Sequence, residues 1–535
     1  MDGNYDVIVV GGGHNGLISA AYLAKSGLKV CVCEARDVVG GAAVSEHPFG
    51  PEYTVTSLSY VVSLLPPAIV NDLNLTEHGY HVYPQGPYFA PRADGRYLSL
   101  PDEHLARHDK ISEFSKADAD AYEDWNEWMS SMGRILAPVL ERIPPKVGSR
   151  TPGDIVNQLN LLRDVRIDVR SAVDMTQVLS SSIADLLEDR FESDAVRGLL
   201  AVSGCIGTWA GPRSSGTGYV MLHHHVGGLG DGNVGAWGFP RGGMGGVTQA
   251  MARAARQFGA QIRTSSPVGR INVQDGRAIG VSLANGDELR ADSIITTAHP
   301  KISFLDLIEP THLPTDFLSD IKRWKSRSGT VKINLAVDRL PTFTSHPQYH
   351  PDVHGGTIAL AETLDDIEGA FQQAVSGEAA SVPFADVCIP SVFDDSLAPE
   401  GEHIVSMFTQ WVPHTWADEP DDEELDAYAK RVLTRMEDVA PGFIDSIKHM
   451  QVIGPHEMEN EYGLVGGNIF HGELSLGQMF HSRPAAGYAD LRTPIAGLYQ
   501  AGSATHGGGG VTGIPGRNVV KQVLSDRKWW RRKRG

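Results

Sequence analysis

Cysteine is scarce. Four in 535 residues, Cys31, Cys33, Cys205 and Cys388, exclude a disulfide scaffold and point to a reducing compartment. No Cys-x-x-Cys pair is present, which argues against disulfide-reductase chemistry. Cys31 and Cys33 share one apolar run and read as small buried hydrophobes. Basic residues are also in short supply: 46 Lys and Arg face 65 Asp and Glu, a net charge of −19. A body that acidic is repelled by nucleic acid and by anionic lipid, so neither DNA nor RNA is an expected partner. No stretch reaches the ~18 apolar residues of a spanning helix. Leu58 to Val70 comes nearest, but Pro66 and Pro67 break it, so it reads as a buried core segment or the lip of an apolar channel. His223, His224 and His225 lack the spacing and the carboxylate partner of a metal site, and no metal is expected. The first strand begins by Tyr5, which leaves no room for a secretory or transit segment; a cytoplasmic protein is expected.

What is present is concentrated at the N-terminus. The β-branched run Val7 to Val10 leads directly into Gly11, Gly13 and Gly16 at G-x-G-x-x-G spacing. Leu17, Ile18, Ala21, Tyr22 and Leu23 then recur at helical period as far as Gly27, and Lys29 to Cys33 resumes as a strand. This is a complete βαβ unit. The first glycine allows the tight turn, the second lets a pyrophosphate approach the backbone, and the third lets the helix pack on the sheet. The helix N-terminus, with His14 and Asn15, is then an anion site. Glu34 ends the second strand, 18 residues after Gly16, where a carboxylate accepts hydrogen bonds from an adenosine ribose and repels a 2′-phosphate. The unit predicts an ADP-containing dinucleotide other than NADP.

A second glycine-rich approach lies far along the chain, GLYQAGSATHGGGGVTGIPGRN from Gly497 to Asn518. A nicotinamide-only enzyme has no need of it. Together with Glu34-Ala35-Arg36, the paired Gly40-Gly41 followed by Ala42, and Arg241-Gly242-Gly243-Met244-Gly245 before a helix, it resembles the phytoene-desaturase-like FAD oxidoreductases. Within them the chain is most similar to the pyridine nucleotide-disulfide oxidoreductase domain-containing protein 2 subgroup, over nearly its whole length. The resemblance implies non-covalent FAD, held also by Val268 beside the adenine and by Gly502, Ser503, Gly510, Val511 and Thr512 at the flavin end. It places His506 in the flavin-facing turn, either to orient substrate or accept a proton, or as a packing residue of the loop. Arg241 and Arg517 are read as aids to flavin binding. Two positions depart from the carotenoid desaturases: Ala42 stands where they carry a basic residue, and Gly507 where they carry proline. FAD binding tolerates both changes better than a carotene substrate does.

The expected fold is α/β. A Rossmann-type FAD-binding domain of the glutathione-reductase-like βαβ kind is assembled from segments 1–75, 235–310 and 485–526. A mixed-sheet and helical substrate or cap domain fills 76–234 and 311–484. Val331, Ile333, Leu335 and Val337 alternate with Lys332, Asn334 and Ala336, and Ile404 to Val412 reads as a further strand. Tyr122, Trp125, Trp128, Met129, Met132, Ile135 and Leu136 lie at helical spacing, as core or as a ligand-contacting wall, and Ser182 to Leu200 reads as one amphipathic helix. No second nucleotide domain follows, so electrons are expected to pass from a lipophilic substrate to the flavin and on to oxygen, a quinone or another acceptor. A flavin amine oxidase and a regulatory or lipid-binding flavoprotein without turnover are the alternatives. The tail 527–535 has six basic residues and two tryptophans in nine positions. It is either a peripheral membrane contact or a segment docked on the protein's own acidic surface.

Overall fold

The computed structural model describes residues 4–145, 168–230 and 234–534, with Ile155, Gln158, Leu159 and Arg163 between them. Two seven-stranded sheets carry it. In the first, Asn4–Val10 runs parallel to Val30–Cys33 on one side and to Glu288–Thr296 on the other. Gln261–Arg263 and Leu498–Gln500 add further parallel pairs, and Val268–Gln274 with Arg277–Leu283 forms an antiparallel edge. Val7 to Val10 are buried, as a β-branched run between two layers must be. The sheet is therefore drawn from the beginning, the middle and the end of the chain. Helix His14–Lys25 packs between Gly243–Gln257 and Ile514–Arg534. Gly27 beyond its end has a φ of 85°, the left-handed conformation that stops a helix.

The second sheet runs in the order Ile447–Ile453, Thr330–Val337, His403–Gln410, Phe384–Cys388, Thr357–Leu360, Tyr88–Pro91, Tyr97–Ser99. It is antiparallel except where Thr357–Leu360 meets Tyr88–Pro91. The alternation seen in Thr330–Val337 separates two faces, but all eight residues are buried. The polar face carrying Lys332 and Asn334 lies against the segment around Ser57 to Tyr60, where Asn334 Nδ2 donates to the Ser57 carbonyl at 3.2 Å. The other face joins the largest apolar cluster, together with helices Lys116–Glu141, Asp194–Cys205 and Thr217–His225. Tyr122, Trp125, Met129, Met132 and Leu136 are buried there, so the aromatic and methionine stripe is core.

Ser182 to Leu200 is not one helix. Ile183–Glu188 ends, and Asp194–Cys205 begins after a break. The cause is Asp118, a buried carboxylate on the neighbouring helix that accepts the backbone N–H groups of Glu192 and Ser193 at 2.7 and 2.9 Å. Those amides are satisfied outside a helix, which offsets the lost intrahelical bonds. At the C-terminus, Ile514–Arg534 continues into the basic tail. Arg527 is ion-paired to Asp6 and, at 3.3 Å, to Asp292. The first basic residue of the tail thus docks on the acidic body, while the side chains of Trp529, Trp530 and the basic residues after them lie outside the described residues. No helix among the described residues is long and apolar enough to cross a membrane.

Candidate active site

A cavity of about 520 Å³ runs from the first glycine turn to the second sheet. At one end the chain brings together Gly11, Gly13, His14 and Asn15 from the turn, Glu34, Ala35 and Arg36 from the strand end, and Gly40, Gly41 and Ala42 from the paired-glycine loop. Ser503, Gly510 and Val511 join them from the C-terminal segment. The helix that starts at His14 has no side-chain cap and no acidic residue in its first turn, so its free amides remain available to an anion. Gly16 stands just behind the lining. A Cβ there would lie 2.1 Å from the Gly11 carbonyl oxygen, so no other residue lets the helix come this close to the turn.

Glu34 is buried, and its carboxylate accepts from the backbone N–H of Gly12 at 2.6 Å and of Arg36 at 2.9 Å. Two oxygens with about four lone-pair sites still leave capacity for ribose hydroxyls. Arg36 is paired to Glu46 through Nη2 and lies 4.8 Å over the Tyr462 ring, while its Nη1 has no protein partner. Asn15 ties the two glycine-rich segments together, since its side chain meets Ser503 Oγ and the Gly516 N–H, each at 3.4 Å. Val511 has a φ of 61°, a strained conformation for a β-branched residue of the kind that gathers at functional sites. The helix beyond it starts at Ile514, with Pro515 in its first turn, where the missing N–H costs nothing.

Four histidines line the cavity, and three of them have a buried ring nitrogen with no protein hydrogen-bond partner: His14 Nε2, His299 Nε2 and His471 Nδ1. Burial pushes His14 down to about 3 and His471 to about 4, and lowers His299 as well. All three are neutral imidazoles at physiological pH, able to donate or accept one hydrogen bond each. Orphaned polar atoms beside an uncapped helix start and the Glu34 carboxylate fit a bound dinucleotide. The far end of the cavity belongs to the second sheet and its neighbours, with Tyr60, Tyr88, Thr357, Asp386 and Phe408. Apolar walls between the ends include Leu58, Val61, Leu64, Ile206 and Ile302, so Leu58 to Leu64 is the channel lip as well as core.

Several expected residues stand elsewhere. His506 is outside the cavity lining: it is buried, its Nε2 lies 2.9 Å from the Val139 carbonyl, and burial pushes it down to about 4. Its geometry is that of a packing residue that donates to the end of helix Lys116–Glu141. Val268 packs with the apolar edge of the first sheet, Gly502 lies on the Thr297 carbonyl, and Thr512 donates to the Gly507 carbonyl at 2.6 Å. None of the three is part of the lining. Arg241 is exposed, and Arg517 pairs with Glu141 at 3.0 Å. Gly243 and Gly245 press against Ser45 and Thr56, so the central glycine cluster serves the junction between segments. Tyr60, Tyr88, His299, Lys332 and Asp386 carry the polar chemistry that the motifs did not reveal. A lone acid inside the apolar run Phe384 to Cys388 was the available signal.

Comparison with known proteins agrees with this geometry. The model of the family described as flavin containing amine oxidoreductase matches residues 16–516. The chain is 37% identical to pyridine nucleotide-disulfide oxidoreductase domain-containing protein 2 of Rattus norvegicus, over 98% of this chain and 94% of that protein. It is 25% identical to a limonene dehydrogenase subunit of Castellaniella defragrans, over 98% and 96% of the two chains. Among solved structures, a triple mutant of putrescine oxidase superposes with a TM-score of 0.62 at 15% identity, covering 98% of this chain and 99% of that one, so the mixed α/β fold is shared with an amine oxidase. The chain therefore belongs to the flavin-containing amine oxidoreductase family and is an FAD-dependent oxidoreductase.

Proposed function

We propose that the protein removes a hydride from a lipophilic, lipid-like substrate held in the cavity between the two sheets. The observation that carries this reading is the wall: Leu58, Val61, Leu64, Ile206 and Ile302 lead from the nucleotide end to the second sheet, a largely apolar passage that favours an apolar body over a charged one. The similarity to a limonene dehydrogenase subunit supports the apolar body alone, at 25% identity. We read the first sheet and its helices as a discontinuous Rossmann-type FAD domain and the second sheet with its helices as the substrate domain. FAD, when bound, supplies the hydride acceptor. The chain's own residues do the rest. The helix start at His14 receives the diphosphate charge, Glu34 takes the ribose hydroxyls, and the neutral His14, His299 and His471 present hydrogen-bonding nitrogens without adding net charge. Asn15 and Ser503 hold the two glycine-rich segments in one arrangement. Anaerobic incubation of the FAD-loaded protein with fractions of a lipid extract tests the proposal. Bleaching of the flavin absorbance by an apolar fraction is expected; bleaching by polar fractions alone overturns it.

A further inference from the structure

The far end of the cavity holds a carboxylate that the protein leaves half used. Asp386 is 2% exposed. The Tyr60 hydroxyl donates to its Oδ2 at 3.4 Å, a long bond, and its Oδ1 is buried with no protein partner. Strand register explains its isolation. Lys332, Phe408 and Asp386 stand opposite one another across three neighbouring strands, so their side chains share one face. Phe408 separates the two charged residues. The Lys332 ammonium is already committed to Asn334 Oδ1 at 2.6 Å and to Ser406 Oγ, and it does not pair with the acid. Burial raises the Asp386 carboxyl to about 7. Tyr60, Tyr88, Thr357 and Phe408 surround the acid in the lining, and Thr357 is itself occupied by the Gln85 amide.

We propose that Asp386 determines substrate specificity: the cavity receives an amphiphile, an apolar body ending in an O–H or N–H donor that reaches Oδ1, and discriminates against a pure hydrocarbon. The proposal rests on the lipophilic-substrate reading above. A hydrocarbon fills the apolar walls but leaves a buried acceptor unpaired, and an acceptor left without its donor is what allows a site to reject an analogue lacking one polar group. Asp386 has no assigned part in electron transfer. Its place is to fix which end of the molecule lies at the second sheet, and so which carbon is carried toward the nucleotide end.

The test uses FAD-loaded protein at pH 8 and three probes of equal chain length, decane, 1-decanol and decylamine, with binding read from thermal stabilisation and from perturbation of the flavin spectrum. Flavin content is measured separately in every sample. The wild-type protein is expected to bind decanol or decylamine at least about fivefold more tightly than decane, the least that an unpaired buried acceptor implies. Asp386→Leu is expected to bring the three within about threefold. Asp386→Asn, which keeps an acceptor oxygen but no charge, is expected to keep the decanol preference and lose that for decylamine. The two polar probes thus separate a hydroxyl from an ammonium head. Equal binding of decane and both polar probes by the wild type overturns the proposal and leaves the lipophilic cavity standing. An unchanged preference in Asp386→Leu also overturns it. Should that variant fail to fold, unchanged decylamine binding by Asp386→Asn together with unchanged decanol binding by Tyr60→Phe/Asp386→Ala overturns it. Binding of none of the probes by FAD-loaded wild type overturns the lipophilic reading as well.

Discussion

Glu34 holds the glycine turn through the Gly12 and Arg36 amides and, in the proposed function, presents its remaining lone pairs to a ribose. Glu34→Arg removes both acceptors and places a cation in the turn; a fall in the flavin-to-protein absorbance ratio to below about one-tenth of wild type is expected, since charge-assisted bonds are the strong ones. Glu34→Gln retains one acceptor oxygen and is expected to keep part of the flavin. Lys332 makes a separate prediction. Burial pushes its ammonium down to about 7, below its unfolded value, so the folded protein carries fewer protons there between pH ~7 and ~10.4. Over that window its contribution to stability rises with pH, by about 1.4 kcal/mol per unit, and below it the buried charge is a full cost. Urea melts of wild type and Lys332→Met at pH 7, 8 and 9 are expected to show the wild type gaining on the variant as pH rises. An unchanged difference would mean that the amine stays charged. Glu34 was legible because strand, helix and strand count out its position. Lys332 was not, because a polar residue at alternate strand positions reads as solvent-facing until a second layer is known to cover it, and Asp386 offered only a lone acid in an apolar run, with nothing local to say what it faces.

Among the elements, the first βαβ unit and the terminal strand, turn and helix were legible, since period and glycine placement are local signals. Asn4–Val10, His14–Lys25, Val30–Cys33 and Leu498–Gln500 all fall where the pattern puts them. The division of Ser182 to Leu200 was not legible, because it depends on Asp118, more than seventy residues away. Asp118→Ala leaves the Glu192 and Ser193 amides without their acceptor. It is expected to destabilise the helical region by about 3–6 kcal/mol, two hydrogen bonds to a charged group, seen as a lower melting temperature at unchanged flavin content per folded molecule. Asp118→Asn, which still accepts one of them, is expected to fall between. His506, which the resemblance put in the flavin-facing turn with packing as the alternative, turns its ring to the end of helix Lys116–Glu141, a direction that no local pattern encodes.

For the whole molecule, a single sheet among the described residues carries the parallel strands and the glycine turn of a nucleotide site. A second docking place for a dinucleotide reductant is therefore not expected. Stopped-flow mixing of FAD-loaded protein with NADH or NADPH is expected to show slow, non-saturating bleaching; fast saturable bleaching by either would reverse the proposed direction of electron flow. The order of the strands also has a consequence in time. Leu498–Gln500 and the helix that Asn15 grips through Gly516 leave the ribosome long after the glycine turn. At 5–20 residues per second the interval is about 25–100 s, during which the βαβ unit exists without the segment that closes its pocket. Cofactor capture is then expected to wait for the second glycine-rich segment: a chain that stalls before residue 498 is expected to lose its flavin, and retained colour separates molecules that carry the segment from those that do not.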